Sequence, residues 1–407
     1  MTALSTAEGR EKLAAAADIF VVATAVSLPW STTAAAVFVV LWMLTLAPTL
    51  HWTEIRRDVL TPAGGLPVLL VLLGVAGCAW ADVSWFERWK GFDSFVKLLA
   101  IPFLLTQFRR SERGAWVFAG YLFSCVALVM ASFIVLAIPA LADRLMHTDY
   151  VLVKNAATQS GEFVTCIFGL LYLALARNGS QTRLVLFGIA LVVVAMLASI
   201  FYVATGRTAL VVFLILLILF ATRTLPAKGI AVVASVAILV GGTAWISSPY
   251  LRGRTQAIWT DLDHYAASYT MTSSGERLVF WTKSIDFIRQ SPFAGHGTGS
   301  IHSQFQKSAA GQTGAAGEAS TNPHNQTFAV GIQLGLVGII VLWAMWIAHL
   351  AMFRGDHLVS WIGVVVVIQN VVGSLFNSHL FDFVQGWTYV VGVGVAGGMM
   401  LGAKRRE

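Results

Sequence analysis

Charge is scarce in this chain. Of its 407 residues only 12% are Asp, Glu, Lys or Arg, while 57% are hydrophobic. A soluble globular domain carries roughly 25% charged residues. The composition therefore excludes a string of soluble domains, a disordered chain and a nucleic-acid-binding protein, despite a net charge of +7. Cysteine is scarce as well. Cys78, Cys125 and Cys166 sit in apolar runs without metal-site spacing, so neither a disulfide nor cysteine chemistry is expected. No Walker-type glycine loop is present, which argues against ATP-driven chemistry. Alternation at strand period is also missing, which argues against an outer-membrane barrel.

What is abundant is apolar length. A bilayer core takes about 20 mostly apolar residues in helical form. Twelve stretches qualify: 13–30, 32–48, 64–81, 92–108, 115–138, 158–176, 183–204, 207–221, 229–247, 323–352, 358–380 and 386–403. The 36 glycines and 14 tryptophans suit packed membrane helices and their interfaces. The first apolar stretch lacks a convincing cleavage site and reads as a retained helix. With the N-terminus inside, the inner segments hold fifteen Lys and Arg residues and the short outer segments six. That bias predicts both termini in the cytoplasm and an even number of spans. The expected fold is one all-α polytopic membrane domain over 1–407.

One outer segment breaks the pattern. Residues 248–322 form a polar loop between the ninth and tenth helices, and loops of this length are usually functional. Within it a helix is expected from Ser274, its N-cap, to Ser291-Pro292. Leu278, Trp281, Ile285 and Ile288 form one apolar stripe, suited to the membrane surface. Arg277 lies in its first turn. Pro292 to Gly299 follows, with glycines at 295, 297 and 299 whose N–H groups could face an anion, or which simply make a flexible turn. His296 and His302 lie within reach of a loop site.

Ser320-Thr-Asn-Pro-His-Asn-Gln-Thr-Phe328 is the sharpest local signal. Asn322 is expected to cap the tenth helix with Pro323 at its first position. His324 and Asn325 would then lie in the first turn, where the helix dipole disfavours imidazolium. His324 is either a cap-region residue or a neutral imidazole able to accept a proton. Arg207, in Gly206-Arg207-Thr208, opens the eighth helix at the same boundary; it either snorkels to headgroups or holds phosphate oxygens. Two guanidiniums and one imidazole suit an anionic lipid diphosphate. Arg252, Arg254, Arg289, Lys97 and Asn325 are the further candidates for substrate contact. Asp261, Asp263 and His264 are too few donors for a metal site, so neither a metal nor another cofactor is expected.

These residues resemble the O-antigen ligase and O-antigen polymerase superfamily of bacterial envelopes. The resemblance rests on Gly206-Arg207-Thr208, Arg277 followed by Trp281, Pro292 to Gly299, and Pro323-His324-Asn325 followed by Gly331, Leu334-Gly335 and Gly338. It spans about 190–345. It implies a membrane-embedded GT-C-like glycosyltransferase of the bacterial inner membrane with a periplasmic active site and no metal. It implies a glycan donor on undecaprenyl diphosphate and, for a ligase, lipid A–core oligosaccharide as acceptor. Arg207 and Arg277 would hold the diphosphate and His324 would be the general base of a single, inverting displacement.

Two alternatives stay open. A polymerase would use the same donor with a second lipid-linked repeat unit as acceptor. Polymerases of this superfamily tend to have two sizeable outer loops and an Arg with a Gly eleven positions later. Here the segment 139–157 is short, and Arg289 reaches Gly299 one residue early, which favours the ligase. A lipid or solute transporter would also suit twelve helices, but the candidate groups lie at one side, not mid-membrane.

Overall fold

The structure, a computed structural model, describes residues 7–145, 151–175, 181–253, 255–256 and 273–406. Those residues are mostly helical, with no strand among them. The elements are α1 (Ala7–Ser27), α2 (Thr32–Leu46), α3 (Trp52–Val59), α4 (Pro62–Gly77), α5 (Trp85–Val96), α6 (Ala100–Phe108), α7 (Gly114–Ala137), α8 (Pro139–Leu145) and α9 (Ala156–Leu175). They continue with α10 (Arg183–Ala198), α11 (Arg207–Thr224), α12 (Ala227–Ser247), α13 (Ser273–Gln290), α14 (Ile301–Ala309), α15 (Gln326–Met352), α16 (Leu358–Ser374) and α17 (Phe383–Arg406).

Among the described residues nine helices are long and apolar enough to cross a membrane, or ten if the bent pair α3–α4 counts as one span. The chain is an all-helical polytopic membrane protein. Three of the twelve expected stretches differ, each for a physical reason. The stretch 13–30 belongs to α1, whose start carries Glu8, Arg10, Glu11 and Lys12 and whose interior carries Asp18. The stretch 64–81 falls on α4, bent by 88° from α3. The stretch 358–380 yields the 17-residue α16 and then a non-helical hairpin.

Asp18 is not left unpaired. It accepts from Gln107 Nε2 at 2.8 Å and Ser111 Oγ at 2.7 Å, and Trp42 Nε1 donates to Gln107 Oε1 at 2.7 Å. At the same end Asp58, fully buried, accepts from Thr106 Oγ1 and pairs with Arg109 at 2.8 Å. These bonds clamp α1, α2, α3 and α6, since a buried carboxylate is stable only when paired and hydrogen-bonded. On α17, Gly394 and Gly398 let α6 approach: a Cβ at Gly394 would lie 2.5 Å from Leu104 Cβ. Small residues serve this purpose in membranes, where packing and not hydrophobicity holds helices together. α10 and α12 turn Phe187, Leu191, Ile238 and Leu239 outward, as lipid-facing helices do.

Candidate active site

At the opposite end of the bundle the chain is irregular, and the irregularities place the candidate side chains. α10 ends in a π-helical turn, Ser199–Val203, and the chain then unwinds over 204–206. Ser160 on α9 holds that unwound piece, donating to the carbonyls of Ala156 and Ala204 and accepting from Gly206 N at 3.0 Å. Arg207 is thereby set at the first position of α11, half-buried. Single π turns recur at functional sites because they re-aim the chain.

α15 is broken at Gly335, where φ is +62° and ψ is −157°. The segment 292–299 repairs the break. His296 N donates to Ile332 O at 2.8 Å, Gly297 N to Gln333 O at 2.9 Å, and Gly299 N to Gln333 Oε1 at 2.8 Å. Thr298 N donates to Gly77 O at 3.1 Å and its hydroxyl to Gly74 O at 2.6 Å. The segment is therefore neither an open anion loop nor a flexible turn but a structural stitch: its N–H groups are spent on backbone carbonyls and on the Gln333 side chain. The glycines answer to close approach, since a Cβ at Gly297 would lie 2.4 Å from Ala81 Cα.

The stitch holds the end of α13. This helix starts at Ser273, so Ser274 lies inside it and is not its cap. Its buried face carries Phe280, Ser284 and Phe287. Phe280 and Phe287 pack edge-on to Phe305 of α14 at 5.3 and 5.2 Å, with Ile332 of α15 beneath. The stripe chosen from the sequence is rotated from this face; Leu278 is 37% and Ile285 40% exposed. Spacing alone cannot separate the two faces, because both are apolar at helical period.

Arg277 is half-buried at the start of α13. Burial first, then the charge of Arg207, hold its guanidinium below the usual value, while Glu276 opposes them. Arg207 and Arg277 are thus close enough for their charges to act on one another. An anion between them would lower that repulsion, and paired guanidiniums suit phosphate oxygens.

His324 completes the cluster. It precedes the helix, because the N-cap of α15 is Asn325, whose side chain accepts from Phe328 N at 3.2 Å. The expected cap at Asn322 is three residues early. His324 takes φ +52°, a left-handed conformation rare outside glycine. Its ring stacks on Phe280, 6.2 Å between centroids at 17°. Burial lowers its pKa most; a hydrogen bond to Asn377 raises it, Arg277 lowers it and Glu318 raises it. Burial and Arg277 both favour the neutral form.

Asn322 orders this turn instead of capping the helix. Its Oδ1 accepts from His324 N at 2.9 Å and from Ser378 Oγ at 2.7 Å, and its Nδ2 donates to Asn377 Oδ1 at 3.0 Å. Asn377 Oδ1 also faces His324 Nδ1 at 3.1 Å, and Asn377 Nδ2 donates to Asp382 Oδ2 at 3.1 Å. Behind this hairpin lies a cavity of about 680 Å³, whose wall includes Asn322, Ser378, Asp382, Glu87 and Lys90. Sequence reasoning missed Asn377. Its only signal was the polar run Asn377-Ser378-His379 after an apolar helix.

The remaining expected contacts turn toward the protein. Lys97 Nζ donates to the carbonyls of Phe381 and Asp382 at 2.9 and 3.0 Å. Arg252 Nη1 donates to the carbonyls of Trp245 and Ile246 at the end of α12. Asn325 Nδ2 donates to Leu375 O at 3.1 Å, so its amide is spent on capping and on the hairpin. Arg289 is 76% exposed and pairs with Asp286 at 3.4 Å. Arg254, Asp261, Asp263 and His264 lie outside the described residues. Among those described, no group of three His, Cys, Asp or Glu could hold a metal.

No curated protein matches the chain. Residues 192–343 match the O-antigen ligase family, a segment that runs from α10 into α15 and contains Arg207, Arg277, the stitch and His324. This match supports placing the chain in the superfamily of O-antigen ligases and O-antigen polymerases.

Proposed function

We propose that the protein is an O-antigen ligase. It moves a glycan from undecaprenyl diphosphate to lipid A–core oligosaccharide at the periplasmic face of the bacterial inner membrane. The reading rests on the placement of three groups at one end of the bundle: Arg207 at the first position of α11, Arg277 near enough to feel its charge, and His324 near enough to feel that of Arg277. That end is opposite the basic short segments, in keeping with an outer face.

An acceptor hydroxyl attacks the anomeric carbon while the bond from that carbon to the diphosphate oxygen breaks. The leaving diphosphate keeps the bonding electron pair and needs cations more than a proton. Arg207 and Arg277 supply preorganised charge where it develops, and one such donor is worth about 10²–10³ in rate. His324 takes the hydroxyl proton, a role worth about 10²–10⁴. A single displacement inverts the anomeric centre.

The ligase reading over the polymerase is supported by the single long loop and the short 139–157 segment. A strain lacking the protein should build lipid-linked O-antigen and leave lipid A–core bare. Single repeat units left on core would identify a polymerase instead. Purified protein should also join a lipid-diphosphate glycan to lipid A–core in detergent. Activity that needs a sealed membrane would favour transport.

A further inference from the structure

We infer that Asn377 and Asp382 are positioning residues for His324, selecting which of its nitrogens receives the proton. This rests on His324 being the base. An amide can be turned over without changing its shape, so its orientation must come from its partners. Here they leave one choice. Asn322 Oδ1 receives the His324 amide and the Ser378 hydroxyl, so Asn322 presents its Nδ2 to Asn377. Asn377 must answer with Oδ1, and its own Nδ2 then meets the Asp382 carboxylate. Oδ1 can only accept, so His324 Nδ1 carries the hydrogen and the lone pair lies on Nε2.

The support behind Asn377 is equally specific. Lys97 holds the carbonyls of Phe381 and Asp382, fixing the hairpin. Burial raises the Asp382 carboxyl to about 6, with the Lys97 charge opposing, so it is ionised at neutral pH. The charged groups around the imidazole are Arg277 on α13, Glu318 ahead of α15, and Asp382 with Lys97 behind Asn377. A neutral amide against Nδ1 fixes the tautomer without adding a full charge, which keeps the ring uncharged and ready to accept. When Nε2 takes the proton, the Nδ1–H bond persists and Asp382 polarises it through Asn377. Asn377 and Asp382 both lie beyond the segment matched to the family.

The test is a polarity swap, read in detergent as kcat, KM and their pH dependence. Asn377→Leu should lower kcat at least tenfold with KM for the lipid donor unchanged and with normal gel filtration. Asn377→Asp sets two carboxylates together and should also be slow. The double variant Asn377→Asp with Asp382→Asn restores one donor facing one acceptor. It should recover most of kcat, with the acid limb moved to higher pH because a carboxylate now touches Nδ1. A merely structural pair would show no such movement. His324→Ala separates the two ideas: full activity there would remove the base itself. Loss there, with an unchanged rate and pH limb in Asn377→Leu and in the double variant, would overturn only the positioning role.

Discussion

The carbonyl of Pro292 accepts a hydrogen bond from the amide of Leu336 at 2.7 Å, one residue beyond the break in α15. A loop residue thus takes the place of the missing helical turn. The same contact ties α13, which carries Arg277, to α15, which follows His324. Helix α15 is continuous in hydropathy but not in backbone, and broken helices at membrane depth persist only where protein satisfies the freed groups.

Gly335→Ala should be damaging. The position has φ +62°, and a Cβ would lie 2.3 Å from Phe293 O. Strain of this kind costs about 1–3 kcal/mol before any clash is relieved. Thermal unfolding in detergent should shift down by several degrees, with ligation reduced in membranes. Gly188→Ala on α10, where nothing lies within 4 Å, is the control and should leave both unchanged.

Arg207→Lys and Arg277→Lys keep charge but lose the planar pair of donors. Each should lower kcat/KM by about tenfold or more, and each alanine variant by about 10²–10³. The double alanine variant should lose less than the product of the two, since both act on one anion. Strict multiplication of the effects would place the guanidiniums in separate sites.

The imidazole of His324 is held below its usual 6.5. The base must be neutral, so activity is present above the folded value and lost as pH falls through it. The acid limb of kcat/KM against pH should be centred below the usual 6.5. An acid limb centred above 7 would mean that the site stabilises imidazolium, contrary to its burial and to Arg277.

Lys97→Met distinguishes an anchor from a substrate contact. Removing the ammonium leaves two carbonyls short of a donor, at about 1–3 kcal/mol for an unsatisfied buried group. A lower unfolding temperature and lower kcat with unchanged donor KM is expected. A selective rise in donor KM would make Lys97 a phosphate contact.

Arg289→Ala should change the rate less than about twofold, because exposed ion pairs contribute roughly 0–1 kcal/mol. A marked rise in KM for either substrate would return Arg289 to the binding surface.

Helical class, the long polar segment and the residue types Arg207, Arg277 and His324 were legible because they are local. They need only the length of an apolar run or a side chain's chemistry beside a span boundary. The cap of α15 was misplaced by three residues. Asn322 was expected there, but its side chain is taken by Ser378 and Asn377, and Asn325 caps the helix instead. The second, buried face of α13 was not legible because Phe305 and Ile332, its packing partners, come from other elements.

Composition alone committed this chain to a bilayer, since a polymer so poor in charge has no other solvent that suits it. Residue order then put two arginines and a histidine at boundaries of three separate segments. Whether those groups share a pocket, which imidazole nitrogen is free, and whether a glycine-rich stretch cradles a ligand or mends a helix were left to folding. Such matters depend on contacts between residues tens to hundreds of positions apart, and no local pattern encodes the distance between them.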